Sequence, residues 1–405
     1  MIKNIYIEQL HQKPIEERSN EIVERKGLGH PDYIADSAAE SVSIALSKYY
    51  LKEFGMILHH NVDKGLVVGG RSTPKFGGGK VDEPIYIIVA GRAVNEIIKD
   101  NKITRIPVGY LTVNAIREFI KQNFRYLDPD RHILIDYKIR PGSIDLQKLF
   151  EEGEKMPLSN DTSFGVCYAP LSETEQLVYK TEKLLNSKEM KKKLPEVGED
   201  IKVMALRNNN QIELTIAAAM ISELIEDTDH YLSVKEEVKK EIEHLASRIT
   251  ELPVTIKVNN ADKPEKGVLY LTVTGTSAES GDDGNTGRGN RIHGLITPCR
   301  PMSMEATGGK NPVNHIGKIY NVLAKIIANK ISKEVKGIKE VYVKILGQIG
   351  TPIDQPINTN IETILQPEYK LTENIKSEIM SIATEEITNI KNITDLILQR
   401  KVELF

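Results

Sequence analysis

The chain has 405 residues, of which 40% are apolar and 27% charged, and its 54 basic and 57 acidic side chains leave a net charge of −3. That length exceeds one ordinary core, so two or three packed units are expected, and the balanced charge excludes the concentrated positive field of a nucleic-acid binder. Runs such as Ile85 to Ala90 are too short to span a bilayer, Met1 to Lys13 lacks a signal-peptide core, and Cys167 and Cys299 form no CxxC pair, so a cytoplasmic chain without membrane, disulfide framework or cysteine-rich zinc site is expected.

Taken in order, Asn4 to Leu10 and Glu21 to Lys26 read as short strands. Pro31 to Phe54 reads as a long helix with Ile34, Ala38, Val42 and Leu46 on one face. Ile57 to Val68 suggests a hairpin turning at Asp63-Lys64-Gly65, and Pro84 to Ala90 a buried strand. Gly77-Gly78-Gly79-Lys80 reads as a flexible loop. Thr112 to Asn123 is helical, His132 to Lys138 a strand running into a Pro-Gly turn, and Phe164 to Tyr168 another strand. Ser172 and Glu175 have capping-box spacing ahead of a helix to Asn186. Lys191-Lys192-Lys193 and Lys239-Lys240 alternate with Glu and read as solvated helix faces. Lys202 to Leu206 and Gln211 to Ala219 bracket a turn at Asn208 to Asn210, and Ser233 to Thr250 is a charged helix. Leu252 to Asn259 and Val268 to Thr274 look like a strand pair, and Pro312 to Glu334 a long helix. Glu340 to Leu346 is a strand and Thr372 to Asn389 a closing helix. Strands paired as hairpins and grouped with long helices argue for an α+β fold with mixed or antiparallel sheets.

Several loops have the composition of a polyphosphate site. Gly29-His30-Pro31-Asp32 opens the first long helix; Pro31 suits a first turn and Asp32 the helix dipole. A capped surface helix is the plain alternative; the functional one is that His30, free N–H groups and a metal held by Asp32 meet a phosphate. Ser280 to Arg291 carries Asp282, Asp283 and Arg288 among four glycines, which lets backbone approach a ligand and supplies metal and phosphate partners. Thr307-Gly308-Gly309-Lys310-Asn311-Pro312 fails the Walker pattern, yet a lysine at a helix start serves as a phosphate counter-charge. Lys138 to Asp145 and Asn160 to Gly165 read in isolation as ordinary turns, and His59-His60 as structural.

In this order the segments resemble the S-adenosylmethionine synthetases (methionine adenosyltransferases), most closely their divergent archaeal branch. Gly29 to Asp32 with Ile34-Ala35-Asp36, Asp161 with Phe164 to Ala169, Gly281 to Arg288, and Gly309 to Pro312 match the family's marks over most of the chain. The chain departs from the bacterial pattern at Arg71, Gln211, Asn311 and Asn314, which leaves the methionine side less defined than the nucleotide side. The resemblance implies attack of methionine sulfur on C5′ of ATP, with the triphosphate leaving and then split. It implies His30, Lys310 and Arg288 as catalytic; Arg140, Pro141, Gly142, Ser143, Asp161 and Asp282 as further ATP contacts; and Asp32 and Asp282 as holders of Mg2+. It also implies a K+ requirement without an assigned residue, and a homodimer with active sites at the interface. Its fold is three similar α+β units, expected over 1–130, 131–250 and 251–405 with segments exchanged. A kinase or nucleotidyltransferase using the same loops is the competing enzyme class, and a nucleotide-sensing module the non-enzymatic one.

Overall fold

The computed structural model describes residues 4–99, 102–142 and 156–405. The first third comprises β1 (Ile5–Gln9), β2 (Asn20–Lys26), α1 (Pro31–Phe54), β3 (His60–Val68), β4 (Arg71–Lys75), β5 (Gly78–Glu83), β6 (Ile85–Ala93), β7 (Glu96–Lys99), β8 (Lys102–Arg105), α2 (Val108–Asn123) and β9 (Ile133–Arg140). There follow β10 (Phe164–Ala169), α3 (Glu173–Leu185), α4 (Lys188–Lys193), β11 (Val197–Asn208), β12 (Gln211–Ile221), α5 (Thr228–Ala246) and β13 (Val254–Val258). The last stretch contains β14 (Leu271–Thr272), β15 (Gly284–Asn285), α6 (Ile316–Glu334), β16 (Ile338–Leu346), β17 (Asn358–Leu365), α7 (Glu373–Thr388) and α8 (Asn392–Leu398).

Among the described residues the strands form three mixed sheets, ordered β1-β17-β16-β10, β13-β12-β11-β2 with β14 beside β12, and β15-β3-β6-β9, together with the hairpins β4-β5 and β7-β8, so the α+β expectation holds. Alternation along the strands gives each sheet one apolar face for helices to cover. Thus α6 and α7 pack on the first sheet, α3 and α5 on the second, and α1 and α2 on the third. The capping box predicted from Ser172 and Glu175 is present. Among the described residues no helix is long and apolar enough to cross a membrane.

Two connections bring distant segments to the start of α1. The β2 strand joins the second sheet, antiparallel to β11, and delivers the chain to that helix. The short β15 adds to the third sheet, pairing Gly284 with Val67 and Asn285 with Leu66. Helix α1 is buried around most of its circumference, so even its polar residues Asp32, Asp36, Glu40 and Ser43 face protein.

The structure corrects several local expectations. Residues 60–68 form one strand rather than a hairpin, because the register shift between Asn61 and Lys64 absorbs the break against β6. Gly77 to Lys80 belong to the β4–β5 hairpin, with Gly77 at positive φ in its turn. Residues 254–258 and 271–272 do not pair with each other; both run parallel to β12. Lys191 is no solvated lysine, since its Nζ donates to Val197 O and Gly198 O at the entry to β11.

Candidate functional site

The chain leaves β2 through Gly27-Leu28-Gly29, whose N–H groups from Gly27 and Gly29 bond to Ile201 O and Glu199 O at 2.8 and 2.9 Å. A Cβ on Gly29 would lie 2.3 Å from Asp200 N, so only glycine allows this crossing. His30 then caps α1, its Nδ1 accepting the Asp32 N–H at 3.1 Å. With Nδ1 as acceptor, the neutral ring carries its proton on Nε2 and can donate it to a ligand oxygen. Burial lowers the His30 pKa against the opposing pull of Asp200 and Asp32, which favours that neutral form.

Three carboxylates on α1, at Asp32, Asp36 and Glu40, stand one turn apart on a single face. Each accepts a backbone N–H from a glycine loop. Asp32 Oδ1 takes Asn285 N–H at 2.9 Å, Asp36 Oδ1 takes Gly287 N–H at 3.0 Å, and Glu40 Oε2 takes Gly309 N–H at 2.9 Å. This acidic stripe therefore fixes both loops on one helix. Asp32 also pairs through Oδ2 with Lys26 Nζ at 2.7 Å, and Lys26 donates in turn to Arg288 O at 2.7 Å. Burial pushes the Asp32 pKa up, but Lys26 and the Asn285 N–H outweigh it and hold the group ionised. Asp36 is 2% exposed and burial raises its pKa to about 7, against the Gly287 N–H and Arg291.

The first glycine loop is held by hydrogen bonds within the chain. Thr286 Oγ1 donates to Asp63 O at 2.8 Å and accepts Gly65 N–H at 3.1 Å. Arg291 Nη2 holds Gly287 O and Gly289 O at 2.7 and 2.8 Å, while Asn290 bonds the Lys26 backbone on both sides. Arg288 itself is exposed, as is Asp282, whose backbone N–H reaches Ser277 O at 3.4 Å. It is Asp283 whose carboxylate receives a loop bond, from Gly69 N–H at 2.9 Å.

The second loop carries Lys310. Gly309, at φ 76°, passes its O to Val62 N–H at 2.8 Å, and Lys310 O accepts Ser43 Oγ at 3.0 Å. Lys310 is 4% exposed, with Nζ between Asp63 Oδ2 at 3.0 Å and Glu305 Oε1 at 2.9 Å. Burial would discharge it, but these carboxylates raise its pKa and keep it an ammonium.

Beside it, ligand atoms of Asp161, Glu305 and His315 lie within 4.8 Å of one another. His315 caps α6 by accepting Gly317 N–H on Nδ1 at 3.2 Å, so its neutral ring presents Nε2–H to Asp161 Oδ2, 3.8 Å away. A proton on Nε2 removes the lone pair that a metal needs. In that tautomer the trio offers two carboxylates and an N–H donor. Burial and the neighbouring Glu305 raise the Asp161 pKa.

Of the remaining expected residues, Arg140, Pro141 and Gly142 lie at the end of β9. Arg140 and Pro141 are exposed there, and a Cβ on Gly142 would come within 2.9 Å of His59 Cδ2. Ser143 lies outside the described residues. Asn314 is buried, with its O accepting Asn160 N–H at 3.2 Å. Arg71 pairs with Glu83 on the exposed β4–β5 hairpin, and Gln211 starts β12 at the surface.

Sequence reasoning passed over Lys26, Asp36, Glu40, Asp63, Glu305 and Arg291. The spacing of Asp32, Asp36 and Glu40 by four residues was the available signal for the stripe. Nothing local marks Asp63 or Glu305 as partners of Lys310.

Comparison with known proteins adds to this geometry. The family model described as S-adenosylmethionine synthetase (AdoMet synthetase) matches residues 3–401. The chain is 58% identical, over the full length of both chains, to proteins named S-adenosylmethionine synthase from Saccharolobus islandicus and Saccharolobus solfataricus. It is 57% identical over equal coverage to the protein of that name from Sulfurisphaera tokodaii.

Proposed function

Because this chain belongs to the S-adenosylmethionine synthetase family, we propose that its ATP lies where the two glycine loops meet the start of α1. The chain is a methionine adenosyltransferase, forming S-adenosyl-L-methionine from ATP, L-methionine and water with release of phosphate and pyrophosphate. The observation that carries the location is the acidic stripe of α1, which brings His30, Arg288 and Lys310 from three distant segments onto one helix.

A lone pair on the methionine sulfur forms the bond to C5′, and the C5′–O bond breaks with its electrons passing to the triphosphate. A thioether carries no proton, so the step needs no general base. It needs alignment and stabilisation of charge on the departing chain. His30 Nε2–H donates to the leaving oxygen, while Arg288 and Lys310 neutralise the phosphates. Lys310 is exchanged from Asp63 and Glu305 toward the phosphates without leaving its pocket. Arg140, Pro141, Gly142 and Asp161 add further ATP contacts, to triphosphate or adenosine.

Hard carboxylate oxygens suit Mg2+. Asp32 keeps lone pairs beyond its two hydrogen bonds, and Asp282 projects from the exposed loop. These two would hold the ion, which would supply positive charge against the phosphates.

Homodimerisation is supported by apolar sheet faces left uncovered by helices. Leu66, Val68 and Leu134 are exposed on the third sheet, Ile22, Met204 and Leu206 on the second. Faces of this kind mark interaction surfaces, and a two-fold pairing covers the same patch on both copies. Sedimentation at micromolar concentration tests this; a stable monomer refutes it.

The site is tested with ATP, methionine and Mg2+, following sulfonium product, phosphate and pyrophosphate together. Lys310→Met and Arg288→Ala should each lower turnover at least ~10-fold in folded protein. Wild-type rates in both would move the site elsewhere. A phosphorylated or nucleotidylated acceptor would instead support the kinase or nucleotidyltransferase reading.

A further inference from the structure

We infer that residues 403–405 form a latch that positions the proposed phosphate-binding groups, through contacts to Arg25, Tyr33 and Thr307, which lie one to three residues from Lys26, Asp32 and Lys310. Glu403 reaches the β2 end: its carboxylate pairs with Arg25 Nη2 at 3.2 Å and Lys183 Nζ at 2.7 Å, and accepts Tyr179 OH at 2.6 Å. Arg25 immediately precedes Lys26, the partner of Asp32 and Arg288. Leu404 O accepts Thr307 Oγ1 at 2.9 Å, three residues before Lys310. The Phe405 ring packs edge-on against Tyr33, next to Asp32, with centroids 5.1 Å apart. Lys325 Nζ completes the set by joining Ile292 O at 2.7 Å to Glu403 O at 3.2 Å, which ties the segment to the residue after Arg291.

These contacts converge from four parts of the chain on three consecutive residues. Phe405 and Leu404 are 8% and 7% exposed. Between Phe405, Asp36, Arg291 and Thr307 the structure leaves a cavity of about 10 Å³, room for roughly one water. Phe405 and Asp36 line the same small cavity, so the segment lies beside the acidic stripe of α1. Displacing it frees Thr307 on one side and Tyr33 on the other, so the two halves of the phosphate clamp lose their fixed separation. A misplacement of about 1 Å at reacting groups can cost on the order of 100-fold in rate.

The inference rests on the proposed site, and its test separates the two. Full-length Phe405→Ala, Phe405→Leu and Glu403→Gln are compared with wild type and with Lys310→Met. Each is assayed at a temperature where circular dichroism shows it fully folded. The expected result is kcat lowered ~10-fold in Phe405→Ala and Glu403→Gln, with KM for ATP changed less than ~3-fold and Phe405→Leu largely restored. Amide exchange of residues 284–291 and 306–311 should quicken in the two impaired variants, whether or not substrate is present. Unchanged kcat overturns the latch, as does a lowered kcat with unchanged exchange in both loops. If Lys310→Met alone keeps the wild-type rate, the site reading fails, and the exchange data still decide whether the segment holds the loops.

Discussion

Glu40 and Lys318 form an ion pair at 2.6 Å, and the Glu40 oxygen that holds the ammonium also accepts the Gly309 N–H at 2.9 Å. Lys318 is wholly buried, and burial pulls its pKa down against the carboxylate. Removing one partner of such a pair leaves an unpaired buried charge, which costs about 3–5 kcal/mol. Glu40→Leu should therefore lower unfolding free energy by about 3 kcal/mol in urea titrations, and adding Lys318→Met should recover most of it. Strict additivity of the two losses would show that the pair is not coupled.

His30 acts as a helix cap and as a proposed donor, and the two roles separate by substitution. His30→Asn keeps a capping side chain, whereas His30→Ala costs about 1 kcal/mol of stability. Both lose the Nε2 donor and should lower turnover ~10²-fold. Steady-state rates with stability measured in parallel check this, and a wild-type rate in His30→Asn would leave His30 with capping alone.

Asp36 sets a pH dependence of stability. Its pKa rises from the ordinary carboxyl value to about 7 on folding, so the folded state holds the proton more tightly than the unfolded chain. The contribution is complete below about pH 4 and is lost as pH rises through 7. Asp36→Asn keeps an acceptor for Gly287 N–H but cannot ionise. Its stability should decline less than wild type between pH 4 and pH 7, by a few kcal/mol in urea unfolding. Parallel curves for the two proteins would remove Asp36 from this role.

Gly284 fixes how closely the first loop lies on α1. A Cβ there would sit 2.1 Å from Pro31 C, a contact that backbone cannot relieve by rotamer change. Gly284→Ala should destabilise by about 1–3 kcal/mol and lower turnover, since loop and helix must part. Gly267→Ala, whose Cβ would meet nothing within 4 Å, is the control for a glycine strained only by its φ of 67°. Equal thermal and kinetic losses in both would contradict a steric cause at Gly284.

What was readable in the chain order was read from local chemistry. Pro31 at a helix start, the Ser172–Glu175 capping box and the asparagine turn after Asn208 each follow from interactions within a few residues. The failures share a cause. Whether residues 60–68 fold back or run on, and whether 254–258 pairs with 271–272, depends on β6 and β12, which the local pattern does not contain. Lys191 looked like a surface lysine because its Val197 and Gly198 carbonyl partners belong to another element.

The same division applies to the site. The sequence alone determined the glycine loops, the charges within them and the family they resemble, because glycine content and side-chain chemistry are properties of the residues themselves. Only the tertiary structure decided that Asp32, Asp36 and Glu40 would each hold a loop N–H, and that Lys310 would sit between Asp63 and Glu305. Apart from Glu305–Lys310, those pairings join residues 247 to 269 positions apart. Hydrogen bonds act over about 3 Å, so which groups come within reach is settled by how the two glycine loops pack on α1.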